Sequence, residues 1–116
     1  MLGSILTLII GVMHFGILAL EMFFWTSERA RRAFNTTPEF AASTKVLAAN
    51  QGLYNGFIAA GLVWGAWLGV DGKAISTFFL LCVAIAGTYG AMTASRRIIF
   101  VQTVPALVAL AAVHFG

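Results

Sequence analysis

Residues 3–25 read GSILTLIIGVMHFGILALEMFFW, an apolar run interrupted by only two ionisable side chains, His14 and Glu21. A helix needs about 20 such residues to cross the ~30 Å hydrocarbon core of a bilayer. The run is longer than the apolar region of a cleavable leader, has no basic residue before it, and carries both ionisable groups inside it. It reads as a retained helix. Three more apolar runs follow, at about 46–69, 74–95 and 98–115, with short connections. Of the 116 residues, 60% are hydrophobic and 9% charged, with a mean hydropathy of +0.93, whereas about a quarter of a soluble domain is charged. The expected fold is all-α: a polytopic membrane protein forming a four-transmembrane-helix bundle, a single domain over 1–116 with no separate soluble module.

The net charge of +3 and pI near 9.6 do not point to nucleic acid, because the basic residues stand at helix ends rather than along one face. Arg29, Arg31, Arg32 and Lys45 fall between the first and second runs, Arg96 and Arg97 between the third and fourth, and only Lys73 lies on the other side. Lys and Arg in short loops mark the cytoplasmic side. The Arg-bearing loops are thus expected in the cytoplasm of a bacterial inner membrane, with both termini outside. Cys82 is the sole cysteine, so no intrachain disulfide forms, and its mid-run position reads as core.

The loop from Thr26 to Lys45 is the one connection long enough to hold structure. Ser27 is placed to cap a turn over Glu28 to Phe34, and Thr37-Pro38-Glu39 is a helix start with a capping hydroxyl and proline in the first turn, so the second helix is expected to begin near Pro38. Phe34 and Phe40 among arginines make this segment amphipathic and suited to the headgroup boundary. Glycine is dense in the second run: Gly52 with Gly56 forms one small-residue ridge, and Gly61, Gly65 and Gly69 another. Small ridges let helices approach closely in lipid. One is expected to serve packing within the chain, leaving the other for a homodimer.

Glu21 is the only carboxylate inside any apolar run, and a charge at membrane depth costs at least ~2.5 kcal/mol unless partnered. His14 lies seven residues away within about 20° of the same helix face, with Thr7 on that stripe. In the second run Asn50, Gln51, Tyr54 and Asn55 spread over about 140°, suited to lining a cavity. Tyr89 and Thr93 fall in the cytoplasmic half of the third helix and Gln102 one turn into the fourth, so Glu21, Asn50, Gln51, Asn55 and Gln102 share a depth on three helices. No Lys or Arg lies in the spans near Glu21, which leaves His14, the amides, a proton, or a bound cation or ligand as its partner. His14 is about 10.5 Å from Glu21 along the axis, too far to pair directly, and reads either as a deeper proton acceptor or as hydrogen-bonded core. No metal site is expected, since one carboxylate and a distant histidine do not make one, and no cofactor is indicated. Trp25, Trp64 and Trp67 suit an interfacial belt, as does His114. Pro105 is expected to kink the fourth helix and free a carbonyl near Val101 and Gln102.

Glu21-Met22-Phe23-Phe24-Trp25, Thr37-Pro38-Glu39-Phe40 and above all Thr44-Lys45-Val46-Leu47-Ala48-Ala49-Asn50-Gln51-Gly52-Leu53-Tyr54-Asn55-Gly56 resemble a family of small bacterial membrane proteins known as domain of unknown function 1304. Tyr89-Gly90 and Phe100-Val101-Gln102 are also similar to its pattern. The resemblance covers nearly the whole chain and implies a four-helix membrane protein without an established activity. Some members carry the label epimerase, although nothing in this chain resembles a soluble epimerase.

Three functions are compatible with these residues. The first is a binding protein or carrier for a small polar or amphipathic molecule, with a cytoplasm-facing pocket centred on Glu21 and Asn50, Gln51, Tyr54, Asn55, Tyr89 and Gln102 as orienting groups. The second is a membrane-embedded isomerase-type enzyme on a lipid-like substrate, with Glu21, and His14 as a candidate second group, in acid–base roles. The third is a non-catalytic membrane scaffold in which the polar residues are interhelical glue.

Overall fold

A computed structural model describes every residue from Met1 to Gly116. All regular structure is helical: α1 (Leu2–Met22), α2 (Glu28–Phe34), α3 (Pro38–Ser43), α4 (Lys45–Leu68), α5 (Lys73–Thr93) and α6 (Val104–Phe115), with a 3₁₀ turn at Gly69–Gly72 and a π-helical turn at Ile99–Thr103. The chain forms two compact units, Met1–Val12 with Ile58–Gly116, and Met13–Phe57.

The first unit is a closed ring of four helical segments. Gly11 of α1 packs on α4, where an added Cβ would lie 3.1 Å from Val63 Cγ2 and 3.2 Å from Leu62 Cβ. The chain turns at Gly69, whose φ of 62° is open to glycine without a Cβ penalty. It then runs back, so that Gly65 faces Ser76 and Gly61 faces Phe79. At the next reversal Gly87 meets Gln102 and Thr103, and Gly90 meets Ile98. Farther along the same hairpin, Thr77 Oγ1 stands 2.9 Å from His114 Nε2. Gly3 against the Val113 backbone closes α1 onto α6. Ile10, Leu62, Leu80, Val83, Ala84, Ala106 and Ala109 form the core.

Large apolar side chains lie on the outside as well as in the core: Leu8, Ile9, Val12, Trp67, Phe78 and Ile85 are exposed, while Ile10, Leu62, Leu80 and Val83 share the interior with alanines, glycines and the polar Thr7, Ser76 and Thr103. Leu2–Met22 and the stretch Lys45–Thr93 are long and apolar enough to cross a membrane; Ile99–Phe115 is shorter. The Lys45–Thr93 stretch is α4 and α5 folded back at Gly69–Gly72, as the Gly65–Ser76 and Gly61–Phe79 contacts require.

The expected kink near Pro105 takes a definite form. Proline lacks the N–H that would bond back one turn, and the five residues Ile99–Thr103 widen into a π turn in which Val104 N–H bonds Ile99 O. Single π turns interrupt α-helices in this way, often near functional sites.

In the second unit the capping residues behave as the sequence predicts. Ser27 Oγ accepts from Ala30 N–H at 3.2 Å and Thr37 Oγ1 from Phe40 N–H at 3.1 Å. Each such cap stabilises its helix by ~1 kcal/mol. The helix begun at Pro38 does not continue into α4. It ends at Ser43, and Thr44, with φ −108° and ψ 10°, separates the two. Asn35 closes α2 in the left-handed conformation. Trp25 Nε1 donates to Thr44 Oγ1 at 3.1 Å while its ring meets Phe34 with centroids 5.0 Å apart. The end of α1 is thereby tied to the start of α4 and to the intervening loop, a more specific role for Trp25 than an interfacial belt.

Candidate functional site

Within Met13–Phe57, α1 places Glu21 in its last turn and α4 crosses it at Gly52 and Gly56. A Cβ at Gly52 would lie 2.6 Å from Met22 Cγ and 3.1 Å from Glu21 Cβ; one at Gly56 would lie 2.5 Å from Leu18 Cδ1. Only the absence of side chains lets the two helices come this close. The close approach brings Asn55 Nδ2 to 2.5 Å from Glu21 Oε1, its donated hydrogen bond being the one polar contact of the carboxylate.

Glu21 is 7% exposed. Arg32 with Glu28 on the surface of α2 is the one ion pair in the chain, so no cation of the chain neutralises Glu21. Thr36 Oγ1 is the only enclosed side-chain polar atom lacking a partner. Glu21 Oε2 accepts no hydrogen bond from the chain and is not fully enclosed.

The other sequence-derived residues divide by helix face. Asn55 and Gln51 lie about 40° apart on one flank of α4 beside the Gly52/Gly56 face, whereas Asn50 and Tyr54 lie on the side away from α1. Gln51, Asn50 and Tyr54 are exposed and Asn55 half-buried. The structure thus brings Asn55 to Glu21, sets Gln51 one turn away on the same flank, and leaves Asn50 and Tyr54 apart from them. His14 is buried, at 2% exposure, and is partnered. With Thr7 it continues the inward polar stripe on α1, where Thr7 Oγ1 donates to Gly3 O at 2.7 Å. Tyr89 and Gln102 belong to the other unit. Tyr89 is exposed in an open groove of about 400 Å³ with Thr88, Met92 and Leu107, and Gln102 is half-buried in the π turn. No three His, Cys, Asp or Glu side chains converge anywhere in the chain.

Gly52 and Gly56 are covered by Leu18, Glu21 and Met22, and Gly61 and Gly65 by Phe79 and Ser76, leaving Gly69 open. The sequence reading missed the Trp25–Thr44 bond and the hydroxyls of Ser76 and Thr103 seated opposite Gly65 and Gly87. The alternation of glycine on one helix with a small hydroxyl residue on the next was visible in the sequence, but which residue faces which depends on a register that only packing sets.

The sequence pattern of the family described as protein of unknown function (DUF1304) matches residues 8–114. The chain belongs to this family. The DUF1304 match takes in Glu21 and the whole Asn50–Asn55 run. The chain is also 32% identical over 116 residues to Uncharacterized protein YpaA of Lactococcus lactis subsp. lactis (strain IL1403), covering 98% of both sequences. No solved structure matches.

Proposed function

We propose that this DUF1304 protein is a polytopic membrane protein that binds and carries a small polar or amphipathic molecule at Glu21 and Asn55. The observation that carries the reading is the half-satisfied carboxylate: Glu21 Oε1 is held by Asn55 while Oε2 is open and no cation of the chain is paired with it. Ionisable groups at membrane depth are functional candidates by default. The exposed apolar side chains support α1, α4, α5 and α6 as four spans, and the Lys and Arg of the two basic loops favour a cytoplasmic side for those loops.

Native mass spectrometry of the purified protein and its Glu21→Gln variant tests the reading. A specific adduct on the wild type that the variant loses is the expected result, with equal helicity and thermal stability because glutamine still accepts from Asn55. Bare spectra for both proteins, with equal stability, would remove the binding reading. They would favour the scaffold alternative, for which the Glu21–Asn55 bond between α1 and α4 is itself the supporting observation. The isomerase alternative has less support. His14 is about 10.5 Å from Glu21 along the helix, and a general acid–base partner acts within about 3.2 Å or through one water.

The orientation has its own test. Cysteines placed at Ala33 and Val70, both exposed, in a Cys82→Ser background are expected to react with an impermeant maleimide from opposite sides. Val70→Cys should label in intact spheroplasts and Ala33→Cys only after permeabilisation. The reverse pattern would overturn the orientation. Val70 serves better than Gly72, because any Cβ at Gly72 would lie 2.9 Å from Leu68 Cβ and 3.0 Å from the Gly65 carbonyl carbon.

A further inference from the structure

We infer that the ligand of this site is an amphipathic primary ammonium ion, an inference that rests on Glu21 and Asn55 being a binding site. The hydrogen-bond polarity of the site carries it. An ionised carboxylate only accepts, and a carboxamide has one accepting oxygen and an NH₂ donor. Asn55 turns its Nδ2 to Glu21 Oε1, which leaves Asn55 Oδ1 as an acceptor. Thr36 Oγ1 is the one enclosed side-chain polar atom without a partner, so Glu21 Oε2 and Asn55 Oδ1, neither of which receives a hydrogen bond within the chain, are not fully enclosed. Two free acceptors with no basic side chain paired to them call for a group that donates, and a cationic donor supplies the countercharge that holds Glu21 ionised. An ammonium has three donors and no acceptor.

The alternatives fit less well. Calcium takes six to eight oxygen ligands, and no three His, Cys, Asp or Glu groups converge to supply them. A guanidinium gains its advantage by gripping both oxygens of one carboxylate, but Oε1 is already committed to Asn55. An anion or a purely accepting head group would leave the charge of Glu21 unmatched. The apolar part follows from the surroundings. Phe23 and Phe24, 69% and 56% exposed, come directly after the last turn of α1 and offer aromatic surface to an alkyl chain.

Isothermal titration calorimetry in a non-ionic detergent, with four six-carbon probes, tests the head group at constant tail: hexylammonium, hexyltrimethylammonium, 1-hexanol and hexanoate. Hexylammonium is expected to bind saturably and at least tenfold more tightly than hexyltrimethylammonium, which has no N–H to donate, while hexanol and hexanoate show only partitioning into micelles. Glu21→Gln should abolish the saturable heat, and Asn55→Leu should weaken it at least tenfold, with circular dichroism confirming that both variants are folded. Equal binding of hexyltrimethylammonium or hexanol, or no saturable binding of hexylammonium, overturns the ammonium assignment. If another probe binds and Glu21→Gln abolishes that binding, the site stands and only its ligand class falls. Saturable binding that Glu21→Gln leaves intact removes the site as well.

Discussion

Gly65→Leu is expected to abolish the folded protein, and Gly65→Ala to destabilise it by about 1–3 kcal/mol, the usual cost of overpacking a close-packed interior. The reason lies in which atoms the new carbon would meet. At Gly65 a Cβ would be 2.9 Å from Ser76 N and 3.1 Å from Ser76 Cα. Those are backbone atoms of α5 and cannot swing aside as a side-chain tip does, so relief requires α4 and α5 to part along the hairpin. That hairpin is one side of the four-helix ring, and separating it also opens the seat of Phe79 on Gly61. Gly16 is the control: nothing lies within 4 Å of its would-be Cβ. Gly16→Ala should therefore be neutral or stabilising by up to about 0.5–1 kcal/mol, through the helix preference of alanine alone. Thermal unfolding in detergent, followed by helical ellipticity, reads all three variants. Equal stability for Gly65→Ala and Gly16→Ala would show that α4 and α5 are not in contact at Ser76.

Asn55→Asp is the second variant with a large expected effect. It removes the amide that donates to Glu21 at 2.5 Å and puts a second carboxylate in its place, so that two like charges share a poorly hydrated site. Asn55→Leu removes the amide without adding a charge, and leaving the buried Glu21 acceptor unsatisfied costs about 1–3 kcal/mol, more when the acceptor is charged. Asn55→Asp should exceed that loss. Combining it with Glu21→Gln reverses the arrangement, because the new amide on α1 donates to the new carboxylate on α4. The double variant is expected to recover most of the stability lost by Asn55→Asp alone. Such recovery is a coupling between two side chains in contact, which a double-mutant cycle measures directly. Additive losses would show that the hydrogen bond between Glu21 and Asn55 does not hold the helices together.

Much of the architecture was legible because apolar length and helix period are written into local composition. The apolar runs, the caps at Ser27 and Thr37 and the disturbance before Pro105 all depend on residues within a turn or two of one another. The end of α1 at Met22, short of Trp25, and the separation of Pro38–Ser43 from α4 were less visible. They follow from Trp25 reaching Thr44, a contact across the loop that no local pattern records. The site was legible in part for the same reason. Glu21 stood out as a misplaced charge and Asn55 as one of a dense polar group. Which of Asn50, Gln51, Tyr54 and Asn55 turns to Glu21 was settled by Gly52 and Gly56, since their contacts with Leu18 and Met22 fix the rotation of α4 about its own axis. Helix rotation is a property of two surfaces fitted together, and one helix's sequence supplies only one of them.

The contact between Gly3 and Val113 joins residues separated by nearly the whole length of the chain. The reversals at Gly69–Gly72 and at 94–96 close short loops, whereas the pairing of α1 with α6 closes almost the longest loop this sequence permits. Because the entropy of closing a loop rises only slowly with its length, this seam adds little to the equilibrium cost of folding. Its effect falls instead on the order of events during synthesis. The face of α1 around Gly3 is made before the α6 segment that covers it, so it remains uncovered while the intervening helices are made.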